Sequence, residues 1–412
     1  MHLMCLDEML PKEHRCRIVW QFVNSLNLDA FYQEIRSTLS AAGHPAIAPE
    51  ILLTLWLQAT LDGIGSAREI DRRCNTDIPY RWICGGVSVN DHTISDFRCG
   101  HSEKLDQILT DSVTSLIDKD LIDLNELAQD GMRVRAHAGS SSFRRKPSLK
   151  KLQEEARELV ERLADERDKD EAPQADARRK AARKRAAEDR QQRIDEALQL
   201  NERLTQERQE KHKDPDKKRI EGDKVRTSTT DPEARRMKMG DGGTRPAYNV
   251  QFSSDSGGRV IVGVEVNNHG TDGGELVPML DQVEDRYGKR PDRVLVDSAY
   301  ATKDGVEQTE KRGTEVISTV PRSEQLRRHG KDPHTKQRGD SDEYEAFRIR
   351  MAAESYQELY RKRPSVAEFP NAVCRNHGLG QFLVRGAVKA KCVALLHALA
   401  FNLQRMIHLE AT

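Results

Sequence analysis

Three acidic residues are the first candidates for chemistry in this sequence. Each one stands at the end of a run of apolar or basic residues. Asp297 follows Val294-Leu-Val296, an aliphatic run typical of a strand that is buried on both faces. Asp130 ends a short apolar run, and Glu368 follows a basic run. If the fold brings the three side chains together, their carboxylates form a cluster able to hold two divalent metal ions. Such clusters serve phosphoryl transfer.

The elements around these residues decide whether they can meet, because 167 positions separate Asp130 from Asp297. Alternating polarity predicts a half-buried strand over residues 127–136, which carries Asp130. After a charged insertion come two strands, a helix, the strand that ends at Asp297, a helix, a strand and further helices. This order is that of an RNase H-like mixed sheet, an α/β fold with helices on both faces. In it the first and fourth strands are neighbours, so we expect Asp130 beside Asp297.

Local signals support this order. Residues 246–252 and 259–266 read as strands of a hairpin, joined by the turn residues Ser-Asp-Ser-Gly-Gly. Helical spacing recurs at 273–287 and 303–311, another strand is predicted at 315–320, and the polar stretch 322–341 reads as a loop. Gly131, next to Asp130, is expected to leave room for a metal or phosphate.

An all-α domain is predicted before the sheet, over residues 1–120. Pro49 stands at a first helical position, Ser66 and Glu69 form a capping-box pattern, and Asn90 is a candidate cap. This region has a set of arginines that are predicted to be exposed, Arg68, Arg72, Arg73, Arg81 and Arg98. A DNA-docking surface and an ordinary solvated helical surface are both open interpretations.

A break in composition marks an insertion at 146–228, rich in Arg, Lys, Glu, Asp, Gln and Ala. Two narrow leucine-rich stripes lie on either side of Pro173, which predicts two helices paired as an antiparallel hairpin. The predicted division is therefore a helical domain at 1–120, a catalytic core at 121–145 and 229–412, and a charged helical insertion at 146–228.

Composition excludes several classes of protein. The chain has 67 Lys+Arg and 67 Asp+Glu, so it is not a uniformly basic binder. Seven scattered cysteines with no Cys-x-x-Cys pair predict neither a zinc site nor a disulfide framework. No signal peptide or apolar run of spanning length is present, which predicts a cytoplasmic protein without a membrane partner. Residues 361–412 hold eight Lys/Arg and two acids, a local excess suited to a polyanion.

Several ordered motifs resemble one family. Tyr360, Arg363, Glu368 and Arg375 fit the pattern Tyr-x2-Arg-x4-Glu-x6-Lys/Arg. Further motifs are Thr230-Asp-Pro-Glu-Ala-Arg235, Pro246-Ala-Tyr-Asn-Val-Gln251 and Val294-Leu-Val-Asp297-Ser-Ala-Tyr300. The chain resembles the DDE transposases of bacterial insertion sequences, and most closely the insertion-sequence 1182 group.

This resemblance implies a function and a site. Asp130, Asp297 and Glu368 would be the catalytic residues and would hold two Mg²⁺ or Mn²⁺ ions. The DNA-binding residues would be Tyr360, Arg363 and Arg375, the last in place of the lysine that is usual in the family. The implied partner is double-stranded DNA, at the ends of the element and at the target, with the protein assembled on it as a homo-oligomer.

Two sets of alternatives stay open at this point. Ser365 and Glu368 also fit a capping box, in which case Glu354 or Glu358 would be the third ligand. Pro370 argues against this capping box, because it would fall inside the helix. At the level of function, the alternatives are an RNase H-like nuclease without strand transfer and a non-catalytic DNA-binding protein that descends from a transposase.

Overall fold

Within the part of the chain that the structure describes, eight helices precede the first strand. The structure is a computed structural model that describes residues 5–33, 35, 46–165, 174–211 and 213–411. The helices are α1 (Leu6–Met9), α2 (Arg15–Ser25), α3 (Asp29–Tyr32), α4 (Pro49–Leu61), α5 (Ala67–Thr76), α6 (Ile78–Cys84), α7 (Asp91–Gly100) and α8 (Ser102–Asp118). A helical N-terminal region is therefore confirmed.

The predicted helix starts in this region are also confirmed. Helix α4 begins at Pro49, where the missing N–H of proline costs no helical hydrogen bond. Ser66 caps α5 by accepting a hydrogen bond from the N–H of Glu69, and Asn90 caps α7 by accepting one from the N–H of Thr93.

Arg98 corrects the prediction of five exposed arginines. Its guanidinium is buried, stands 4.6 Å from the centre of the Trp56 ring and donates a hydrogen bond of 2.6 Å to the carbonyl of Gly65. A guanidinium group is planar and weakly hydrated, so it packs well on the face of an indole ring. Arg98 therefore joins α7 to α4 and the α4–α5 loop, and it is not available to DNA.

A six-stranded mixed sheet follows, in the order β4-β5-β1-β7-β8, with β6 paired to β5. Its strands are β1 (Glu126–Arg135), β4 (Arg235–Lys238), β5 (Thr244–Asp255), β6 (Ile261–Asn267), β7 (Arg293–Leu295) and β8 (Glu315–Ile317). A separate pair is formed by β2 (Phe143–Arg144) and β3 (Thr227–Ser228). The β5–β6 hairpin is confirmed, whereas the prediction missed β4.

The pairing of β1 shows which strands are its neighbours in the sheet. This strand lies antiparallel to β5 and parallel to β7, and β7 lies parallel to β8. The strand with Asp130 and the strand before Asp297 are thus neighbours, as predicted from the element order. The architecture is mixed α/β, a helical region followed by a mixed sheet with helices, and it is compatible with an RNase H-like fold.

Between β2 and β3 the chain forms α9 (Lys146–Asp165), α10 (Gln174–Glu210) and α11 (Pro215–Asp223). Gln153 of α9 donates a hydrogen bond of 2.7 Å to Asp195 of α10, and Lys146 pairs with Glu202 at 3.0 Å. As the residue number rises on α9 it falls on α10, so the two helices run antiparallel. Pro173, predicted to lie between them, is outside the described residues.

Helices also occupy the C-terminal part of the chain. They are α12 (Leu276–Tyr287), α13 (Lys303–Lys311), α14 (Ser323–Arg328), α15 (Asp342–Arg350), α16 (Glu354–Arg361), α17 (Phe369–Asn376) and α18 (Ala387–Ala411). The prediction of a loop over 322–341 is wrong at α14, a helix too short for polar periodicity to reveal.

Helix α18 closes the core. By length and composition it is the one helix among the described residues that could cross a membrane, but 61% of its apolar window is buried in the protein. It packs against β6 and against helices α4, α7 and α8, and Asn402 exchanges hydrogen bonds with the backbone of Ile261. We therefore interpret α18 as a core helix that joins the helical region to the sheet.

Candidate active site

Asp130 lies on β1, and Asp297 follows the neighbouring strand β7, at the centre of the sheet. The parallel register pairs Ala128 of β1 with Leu295 of β7. Asp130 lies two residues after Ala128 within β1, and Asp297 lies two residues after Leu295, just beyond the end of β7. The carboxyl ends of parallel strands meet at one edge of a sheet, which is where ligands bind in α/β folds.

Arg363 joins Asp130 to Glu368. One guanidinium nitrogen lies 3.2 Å from Oδ1 of Asp130, and the other lies 3.0 Å from Oε1 of Glu368. The arginine is buried, with 8% of its surface exposed. A buried guanidinium needs carboxylate partners to offset its lost hydration. Two of the three predicted carboxylates therefore contact the same cation.

Asp297 contributes to the same electrostatic environment. Burial lowers the pKa of Arg363, but the negative charges of Asp130, Asp297 and Glu368 and the nearby Tyr360 outweigh this effect and raise it overall. The Oδ1 atom of Asp297 accepts a hydrogen bond of 2.6 Å from the N–H of Ser298. This turn holds the carboxylate at the end of the strand.

The surroundings of Asp130 raise the pKa of its carboxyl group. Burial raises its pKa to about 6, although Arg363 and a hydrogen bond from Asn371 act in the opposite direction. The Nδ2 atom of Asn371 lies 3.0 Å from Oδ2 of Asp130. Asn371 was not predicted as a site residue. Its position three residues after Glu368, one turn along a helix, was the only available signal.

Glu368 ends a short π-helical segment, Pro364–Glu368, between α16 and α17. The capping box considered for Ser365 and Glu368 is not formed, because both the hydroxyl and the N–H of Ser365 donate to the carbonyl of Lys362. Glu354, an alternative third ligand, pairs with Arg361 at 2.8 Å on the exposed side of α16. π-Helical segments are frequent at functional sites.

A polar network fills the opposite face of β1 beside Gly131. Asp272 accepts hydrogen bonds from Arg133, from Asn249 at 2.8 Å and from Gln251 at 2.9 Å. A Cβ on Gly131 would lie 2.3 Å from Gln251 and 2.7 Å from Asp272. The expectation that Gly131 leaves room for a metal or phosphate is therefore wrong, because the protein's own side chains use that room.

The Gly131→Ala substitution tests this network. We expect the free energy of unfolding to fall by about 1–3 kcal/mol, since an added methyl group must push hydrogen-bonded side chains apart. Chemical denaturation would measure the change. Gly257→Ala is the matched control, because its Cβ would meet the nearest atom at an ordinary 3.4 Å. Equal stability of the two variants would contradict this description.

The two remaining predicted DNA-binding residues lie on helices beside the carboxylates. Tyr360 is partly buried on α16, near Arg363. Arg375 is exposed on α17 and has no ion-pair partner among the described residues. Arg363 itself faces the carboxylates in this arrangement. A role for each of the three in DNA binding stays a prediction.

The family resemblance implies a metal, and the donor set fits one in chemistry. Carboxylate oxygens are the ligands that Mg²⁺ and Mn²⁺ prefer. Within the described residues, no three Asp, Glu, His or Cys side chains stand together as a ready metal-binding group. Asp130 and Glu368 are instead held by the guanidinium of Arg363.

Comparison with known families decides the identity. Residues 4–99 match the model described as Transposase domain (DUF772), and residues 212–403 match the Transposase DDE domain. The chain belongs to the DDE transposases of insertion-sequence type. Searches of the curated proteins and of the solved structures found no match.

DDE transposases cleave and transfer DNA, generally use divalent metal ions, and are normally soluble and cytoplasmic. Asp297 and Glu368 lie inside the range that matches the DDE domain, whereas Asp130 lies outside both matched ranges. The assignment of Asp130 therefore depends on its neighbours in space, namely β7, Arg363 and Asn371.

Proposed function

We propose that this transposase belongs to the insertion-sequence 1182 group, binds the terminal inverted repeats of its element, and catalyses metal-dependent strand cleavage and strand transfer. The single observation that carries the proposal is the contact of one buried arginine, Arg363, with both Asp130 and Glu368, beside Asp297. In this proposal, residues from three distant parts of the chain converge where the middle of β1 lies beside the carboxyl end of β7.

In this proposal Asp130, Asp297 and Glu368 hold two Mg²⁺ or Mn²⁺ ions. When bound, such ions activate water at a phosphodiester and stabilise the leaving 3′ oxygen. The three carboxylates supply the negative charge that binds them. Asn371 orients the Asp130 carboxylate, because its amide fixes one oxygen and leaves the other toward Arg363.

Arg363 has two roles in this proposal. In the arrangement described it balances two carboxylates that would otherwise repel each other in a partly buried site. The same guanidinium, next to the reacting centre, is suited to a scissile phosphate because its planar donors match phosphate oxygens. Tyr360 and Arg375 extend the contact to neighbouring parts of the DNA, on which the protein assembles as a homo-oligomer.

An integration assay tests this function. The DNA that flanks the gene supplies the terminal inverted repeats, and a pre-cut end with a free 3′-OH is incubated with supercoiled plasmid and Mg²⁺. We expect products in which the end is joined to the plasmid. Free nicks without joining would indicate a nuclease, and binding without either product would indicate a non-catalytic DNA-binding protein.

A further inference from the structure

Two cavities flank helix α14, next to the catalytic carboxylates. One has a volume of about 720 Å³ and the other about 690 Å³. Both are lined by Ser298, which directly follows Asp297, and by Arg322, which precedes α14. The second cavity also includes Tyr360. The two cavities therefore continue from the candidate active site on the Asp297 side.

The larger cavity carries an excess of positive charge. No described Asp or Glu lines it. Four of its lining side chains are cations, namely Lys303, Arg322, Lys331 and Arg348. Asp340, behind the wall, pairs with Lys303 at 2.7 Å and with Arg348 at 2.8 Å, so one carboxylate offsets part of the charge of two cations. Arg322 and Lys331 form no ion pair within the described part of the chain.

Arg322 also holds an unfavourable backbone conformation. Its φ is +58° and its ψ is +24°, in the left-handed region that disfavours residues with a Cβ. Its side chain is exposed and makes no hydrogen bond or ion pair with the described residues that would compensate for this conformation. Strained residues of this kind cluster at ligand-binding sites. Arg322 therefore combines a strained backbone with an unpaired cation in the wall that both cavities share.

We propose that Arg322 and Lys331, with the two cavities beside α14, bind the sugar–phosphate backbone of the DNA that passes the active site on the Asp297 side. This inference rests on the proposed function and adds a binding surface to it. Phosphates fit the larger cavity because its lining includes four cations and no described carboxylate. The smaller cavity adds Arg327 and Arg361 and one acid, Glu324, which pairs with Arg328 at 3.6 Å. The continuity with Ser298 puts this surface next to the reacting phosphodiester.

Salt-dependent binding tests the proposal. Anisotropy of a labelled single strand of about 30 nucleotides, and of the matching duplex, is measured in EDTA at several salt concentrations. For Arg322→Gly and Lys331→Gln we expect weaker binding and a slope of log K against log salt that is shallower by about 0.9 per lost duplex contact, or about 0.7 for a single strand. A change in the duplex arm identifies paired DNA, and a change in the single-strand arm alone identifies an unpaired strand.

Arg259→Gly is the matched control, because Arg259 also has a positive φ, of +53°, but lies in the β5–β6 turn. Both glycine variants should keep or raise the Tm, because glycine adopts a positive φ without the strain of a Cβ atom. Only Arg322→Gly should lose DNA affinity. Unchanged slopes for Arg322→Gly and Lys331→Gln, with a wild type that binds and joins DNA, would overturn this inference alone. A wild type that binds neither probe would overturn the proposed function as well.

Discussion

Asp297→Asn is expected to reduce strand cleavage by about a thousandfold or more, because several kcal/mol of charge stabilisation at the reacting centre depend on this carboxylate. Asparagine keeps the size of the side chain and removes its charge. Asp130→Asn should have the same effect. Binding to the terminal repeats should change by less than about threefold, since cationic contacts to phosphates supply most of that affinity. Gel-based cleavage and anisotropy measure the two quantities.

Asp304→Asn is the matched control for these variants. Asp304 is exposed on α13, a few residues after Asp297, and accepts a hydrogen bond of 2.8 Å from Gln308. It should retain cleavage. If Asp297→Asn lost binding and cleavage equally, Asp297 would be a structural or DNA-contacting residue instead of a metal ligand.

Glu368→Gln is the second substitution with a large expected effect. Cleavage should fall by orders of magnitude, while the free energy of unfolding should change by less than about 1 kcal/mol, the usual range for an exposed residue. The Glu368 side chain is 55% exposed, and Asp130 remains as a charged partner of the buried Arg363 when Glu368 is replaced, so the loss of stability should be small. Glutamine keeps the shape and can still accept a hydrogen bond from Arg363.

Glu354→Gln and Glu358→Gln provide paired controls on α16. Both residues are exposed, and Glu354 pairs with Arg361 instead of a residue of the site. Near-normal cleavage is expected for both variants. If one of them abolished cleavage and Glu368→Gln did not, the third ligand would be misassigned, and the Tyr-Arg-Glu-Arg register would move with it.

The sequence predicted the parts of the fold that depend on local pattern. Proline and cap residues located the starts of α4, α5 and α7, and helix α13 has the predicted bounds. The order of strands and helices predicted that β1 and β7 pair. These features depend on neighbours along the chain, whose spacing a single sequence displays.

Contacts between distant segments could not be predicted in the same way. Arg363 donates one hydrogen bond to Asp130 and one to Glu368. These contacts depend on how α16 and α17 pack on β1. The crowding beside Gly131 depends on Asp272, in a loop 141 positions away. Arg98 was predicted to be exposed because arginines usually are, but the Trp56 face buries it.

The most direct test of the central claim counts bound metal ions. Mn²⁺ is titrated into the transposase bound to an uncleavable terminal-repeat duplex, and electron paramagnetic resonance measures free Mn²⁺. We expect two bound ions for the wild type and for Arg375→Gln, and fewer for Asp130→Asn, Asp297→Asn and Glu368→Gln. Equal Mn²⁺ binding by the wild type and all three carboxylate variants would contradict a metal site formed by these three residues.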